Sequence, residues 1–245
     1  MKRRLSILLT IIILLFILCP VTVSAQTYNL SKTDMSISID DNSWYVFTRD
    51  NIKNNPELEA IGLTYKDMYD FFIHNMAYMK AFFVCDDGNF MELIVKKDEE
   101  KSLRVNLSNY SDDEVLKRAE SLAESHNAEY SVYKNQYKFT HIEYIDYNKV
   151  YYLCEFATII NKKPYTLTFK SKTPFTDAEY QEIENIIDSI HFEVDTTLKE
   201  PIYMTRKGKV IIKLLPMAIC SLIGYAVVSR KKEKKASRED PFSIW

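Results

Sequence analysis

Between Met35 and Ile39 apolar and polar residues alternate, with Met35, Ile37 and Ile39 on one face, which predicts a strand. After the turn "DDNS", the aromatic and β-branched run from Trp44 to Arg49 predicts a second. Residues 26–34 read as a short extended lead. Asn55 as cap and Pro56 at the first position predict a helix in "NNPELEAIGL", which Gly62 ends. Thr64 caps another over Tyr65 to Met76, where Met68, Phe71, Phe72 and Met76 form an apolar stripe. "KAFFVCDDGNFMELIVKK" reads as a hairpin with Asp87-Gly88 as a two-residue turn. That turn pairs Val84 with Met91 and Phe82 with Leu93 on one face, and Cys85 with Phe90 on the other.

Further on, "SDDEVLKRAESLAESHNA" predicts a helix capped by Ser111 and Glu114, with Val115, Ala119, Leu122 and Ala123 inward. Tyr130 to Thr140 is ambiguous in its pattern. Thr140 to Asp146, Val150 to Ile160 and Pro164 to Ser171 predict three strands in meander order. Thr176 and Glu179 open a closing helix whose Tyr180, Ile183, Ile186, Ile187 and Ile190 face inward. Strands joined by hairpins imply a mainly antiparallel sheet, and amphipathic helices cover it. The fold class is α+β.

This order resembles the PsbP-like domains over about residues 35–192. The resemblance rests on the opening "MSISIDDNSWYVF", the strand pair from Val150 to Ser171 and the closing helix ending "IIDSIHF". It implies a three-layer sandwich and a binding or assembly role, and it transfers no functional residue.

The two ends of the chain carry a different pattern. Lys2, Arg3 and Arg4 precede an uncharged apolar run from Leu5 to Leu18, and Val23-Ser24-Ala25 places small residues before Gln26. That order is a secretory signal peptide over residues 1–25. Left uncleaved, the same run would serve as a second span. From Val210 to Val228, Lys213 is the only charge. A helix of that length covers about 29 Å, close to the hydrocarbon thickness of a bilayer. Lys213 sits one turn inside the outer end, so its stem can carry the ammonium to the headgroups. Pro216 is tolerated in such a helix. Arg230, Lys231 and Lys232 begin a basic stop.

The expectation is a single-pass protein of the cell membrane. An extracytoplasmic domain (26–192), a polar tether (193–209), a transmembrane helix (210–228) and a cytoplasmic tail (229–245) follow the signal.

Charge and cysteines refine that picture. Residues 26–208 hold 21 of the 32 Lys and Arg and 31 of the 34 Asp and Glu, a net charge of −10. Such a domain has no footprint for nucleic acid. Outside the signal and the span, Cys85 and Cys154 remain, a candidate disulfide in an oxidising compartment or two small buried hydrophobes.

His74, His126, His141 and His191 show no zinc-like helical spacing, and there is no nucleophile elbow or glycine-rich phosphate loop. The reading is a non-enzymatic domain without cofactor or metal. Tyr144, Tyr147, Tyr151 and Tyr152 are candidates for an aromatic surface meeting an envelope protein or wall polymer. A carrier of a small apolar ligand is the alternative, and a hydrolase with an unrecognised site a more distant one.

Overall fold

The computed structural model describes residues 25–201, apart from residues 41 and 87, together with Val210 and Pro216. The predicted signal peptide apart from Ala25, the Asp87 turn position, the tail and all of the predicted span except Val210 and Pro216 lie outside the described residues.

Among residues 25–201, ten strands and four α-helices follow in the order β1 (Ala25–Asn29), β2 (Met35–Asp40), β3 (Trp44–Thr48), α1 (Glu57–Ala60), α2 (Tyr65–His74), β4 (Ala77–Val84), β5 (Phe90–Lys97), α3 (Asp112–Glu124), β6 (Glu129–Lys134), β7 (Lys138–Ile145), β8 (Tyr152–Ile160), β9 (Lys163–Ser171), α4 (Asp177–Ser189) and β10 (His191–Phe192). The strands form two antiparallel sheets. A seven-stranded sheet runs β3-β4-β5-β9-β8-β7-β6 and a three-stranded one runs β1-β2-β10. The fold is α+β with few helices, as the pattern predicts.

Local chemistry explains the helix starts. Thr64, Ser111 and Thr176 each accept from the backbone N–H three residues on, and Asp67, Glu114 and Glu179 return the bond to the cap backbone. Asn55 accepts from the Glu57 N–H at 2.9 Å, but only one turn of α1 follows.

Alternation then sorts the large sheet into two faces. One carries Trp44, Met79, Met91, Leu167, Phe169 and Phe156, packed against Ile37 and Ile39 of the small sheet and Ile183, Ile186 and Ile187 of α4. Fully burying side chains of this size is worth about 1.5–3 kcal/mol each. The opposite face is covered at its two ends. Met68 and Phe72 of α2 pack on Phe47 and Phe82, while Val115 of α3 packs beside Ile159 and Val132. Between them runs a half-buried polar strip with Glu92, Lys96, Glu155, Thr168 and Lys170.

Three features differ from the sequence expectation. The segment without a clear period contains β6, an edge strand whose exposed residues leave no apolar alternation. The extended lead supplies β1, paired with β2. In the β4–β5 hairpin, Gly88 N–H bonds to the Cys85 carbonyl and Cys85 N–H to the Asn89 carbonyl, both at 2.9 Å. The loop therefore takes three residues, with Gly88 at φ 78°, where glycine is favoured. Val84 pairs with Phe90 and Phe83 with Met91, one residue off the predicted register, which places Cys85 on the same face as Met91.

Cys85 and Cys154 are both buried and are not joined to each other. Cys85 follows β4, and β5 and β9 lie between β4 and β8. Strands spaced about 4.8 Å apart put some 14 Å between β4 and β8, twice the reach of a disulfide. The candidate pairing does not form.

Candidate functional site

Alternation along β7 puts Phe139, His141 and Glu143 on the main-core face, and the β7–β8 register sets Cys154 directly across from Glu143 and Phe156 across from His141. Three chemically distinct side chains therefore meet. His141 Nε2 lies 3.3 Å from Cys154 Sγ and 3.1 Å from Glu143 Oε1. The three donor atoms all lie within 4.8 Å of one another.

Each of the two more exposed members has a second partner. Ser131 Oγ, on β6, is 2.9 Å from His141 Nδ1. Tyr180, on α4, donates a 2.7 Å hydrogen bond to Glu143 Oε2. The imidazole lies flat on Phe156, with ring centroids 4.5 Å apart and planes 14° apart.

Electrostatics follow from this packing. The hydrogen bond from His141 holds the Glu143 carboxyl below its ordinary value against the opposing effect of burial, and Tyr180 adds to it. Burial pushes the Cys154 thiol up, and the nearby Glu143 and Glu155 carboxylates push it further. Burial, followed by the Glu143 contact, raises Tyr180 as well. A pocket of about 330 Å³, lined by Glu129, Glu143, Tyr144, Phe175 and Tyr180 among others, opens beside the carboxylate.

No family model and no curated relative matches the sequence. Among solved structures, the solution structure of cyanobacterial PsbP (CyanoP) from Synechocystis sp. PCC 6803 is similar, with 12% identity and a TM-score of 0.38 over 71% of this chain and 96% of that one. The chain thus resembles PsbP weakly, in fold alone, and no residue role passes from one to the other.

The four tyrosines picked out in the sequence do not form one surface. Tyr147 is 99% exposed in the turn after β7. Tyr144 faces the polar strip under the His126 ring, at 4.5 Å, and burial pushes its hydroxyl up to about 12. Tyr151 is covered by the Lys170 ammonium, 3.6 Å from its ring centre. Tyr152 pairs with Ile145. Of the other histidines, His74 bonds the Asp70 carbonyl within α2 and His191 is an exposed residue of β10. Lys213, Arg230, Lys231 and Lys232 lie outside the described residues, and Pro216 is an exposed helical position.

The aromatic surface that sequence reasoning missed is on α2. Met68 and Phe72 point inward, as expected, but Met76 is 59% exposed. It extends a second apolar row of Tyr65, Tyr69 and Ile73 on the outside, at i, i+4 and i+8. Tyr65 and Tyr69 stack with centroids 5.9 Å apart. The signal was present in the sequence as a second fourfold repeat beside the first.

Among the described residues, no helix is long and apolar enough to cross a membrane. Another pocket, of about 590 Å³, is lined by Asp34, Lys101, Asn161, Lys163, Glu193 and Asp195 among others. Charged and amide groups of this kind suit polar ligands better than an apolar one.

Proposed function

We propose that this protein is a single-pass, membrane-anchored binding module, with its α+β domain on the extracytoplasmic side docking a protein of the cell envelope. The observation that carries the docking reading is the outer row of α2. A helix on a globular domain needs one apolar face, and α2 has two, the outer one built from Tyr65, Tyr69 and Ile73, with Met76 exposed just past its end. Stacked tyrosines with polar tips suit a surface that is wet when alone and covered when bound.

The anchor reading rests on the residue pattern of the ends. A signal peptide leads the chain out, the span from Val210 to Val228 holds it, and Arg230, Lys231 and Lys232 keep the tail in the cytoplasm. Lys213 and Pro216 both sit where a membrane helix accepts them.

The full-length chain tests both halves. A photo-crosslinking residue in place of Tyr69 gives one discrete protein adduct in intact cells, whereas the same residue in place of the exposed Tyr147 gives none. Equal labelling at both positions removes the α2 surface from consideration. Extraction of the membranes with alkaline carbonate leaves the protein in the pellet, and its release into the supernatant refutes the anchor.

A further inference from the structure

We propose that His141, Glu143 and Cys154 form a mononuclear site for a zinc-class divalent metal ion, with Ser131 and Tyr180 as the residues that orient its ligands. A tetrahedral zinc ion with bonds of about 2.0–2.1 Å to nitrogen and oxygen and about 2.3 Å to sulfur holds its nitrogen and oxygen ligands about 3.3 Å apart and its nitrogen and sulfur about 3.5 Å apart. The corresponding separations here are 3.1 Å and 3.3 Å. Those two pairs need shifts of a few tenths of an ångström, while the carboxylate oxygen and the sulfur, which lie within 4.8 Å of each other, must settle at about 3.6 Å around an ion. The strands already impose the geometry, because His141 and Glu143 are two apart on β7 and Cys154 is the cross-strand partner of Glu143.

The donor set selects the ion. One imidazole, one thiolate and one carboxylate match zinc and its first-row neighbours, whereas calcium and magnesium take oxygen ligands. Outer partners complete the arrangement. Tyr180 holds the second oxygen of Glu143, leaving Oε1 for the metal. When the metal takes Nε2, the ring proton sits on Nδ1 and Ser131 Oγ accepts it, so the bond at Nδ1 survives the change of tautomer, and the bond from Nε2 to Glu143 gives way to the shared metal. The thiol proton leaves to solvent as the sulfur becomes a ligand. Three protein donors leave a fourth position for a further ligand, and the pocket lined by Glu143 and Tyr180 lies next to the cluster.

The same residues do not form a nucleophilic cysteine site. There the acid orients the imidazole from the nitrogen opposite the thiol. Here Glu143 and Cys154 share Nε2, and Nδ1 belongs to Ser131. Cys154 is also fully buried, out of reach of a substrate.

Cobalt(II) added to metal-free full-length protein tests the site directly. The expected result is one ion per chain, with a thiolate-to-cobalt charge-transfer band and ligand-field bands of a four-coordinate ion. The band is lost in Cys154→Ser and kept in Cys85→Ser, which alters the other buried thiol. Tyr180→Phe retains the band and weakens binding by about 10-fold or more. Absence of a thiolate band in the wild-type protein, or its survival in folded Cys154→Ser, overturns the proposal.

Discussion

The Tyr137 hydroxyl accepts a 2.7 Å hydrogen bond from the Phe192 N–H and lies 3.3 Å from the Phe192 carbonyl oxygen, to which it donates. The two rings meet edge to face, with centroids 5.0 Å apart. One side chain thus ties the β6–β7 hairpin of the large sheet to the last strand of the small one. Both residues are buried, so water does not replace the lost partner when the hydroxyl is removed.

Tyr137→Phe keeps the ring contact and removes both bonds. The expected cost is about 1–3 kcal/mol of unfolding free energy, the range for leaving buried polar groups without partners. Urea denaturation of the domain checks this. An unchanged midpoint would show that β10 holds without the hydroxyl.

What could be read in advance was local. The three capping boxes at Thr64, Ser111 and Thr176 depend on residues three apart, and all three form as the spacing predicts. The meander of β7, β8 and β9 follows from short turns. Register across a turn was less accessible, because the β4–β5 loop takes three residues with Gly88 at its end, and nothing in "DDGN" separates that loop from a two-residue one.

The His141–Glu143–Cys154 cluster escaped for a related reason. Helical spacing was the test applied to the histidines, whereas a strand brings together residues two apart and adds a cross-strand partner that only the register identifies. The second sheet was hidden as well, since β10 has two residues and β1 is almost entirely exposed.

Asp34 gives the domain a defined response to acid. Burial works against its charge, but hydrogen bonds from Lys163 and Asn161 and the nearby Lys97 outweigh it and hold the carboxyl below its ordinary value. Lys163 Nζ lies 2.9 Å and 2.8 Å from the two carboxylate oxygens. A folded pKa below the unfolded one gives stability that is fully present above the ordinary carboxylate value. It is lost as pH falls through the lowered folded value. Side-chain exposures of 34% for Lys163 and 24% for Asp34 keep the pair partly screened. Asp34→Asn is therefore expected to cost about 0.5–1 kcal/mol at neutral pH. Thermal unfolding of both forms, followed from neutral pH into the acid range, should show their difference closing. A constant gap would mean that the carboxylate charge is not what stabilises this corner.

Glu200 fastens the end of the described domain. Its Oε1 accepts from the Val105 N–H and its Oε2 from the Tyr110 hydroxyl, both at 2.9 Å. Burial and this contact raise Tyr110 to about 12. Upstream, Glu193 N–H bonds the Asp34 carbonyl at 2.8 Å, and Asn161 bonds both the Glu193 carbonyl and the Asp195 N–H. The segment from 193 to 200, which its polarity alone marks as a tether, is thus laid along the domain.

Under the proposed anchoring, residues 201 to 209 join that segment to the span, and nine residues reach at most about 32 Å. Freeing the chain from 193 onward would raise the limit to about 60 Å. Glu200→Ala strips the Val105 N–H of its acceptor and should cost about 1–2 kcal/mol locally. Amide exchange should quicken from residues 193 to 201 while the β5–β9 ladder keeps its protection. If residues 193–201 of the wild-type protein already exchange as fast as an unstructured chain, the Glu200 clasp does not hold in solution, and the longer reach applies.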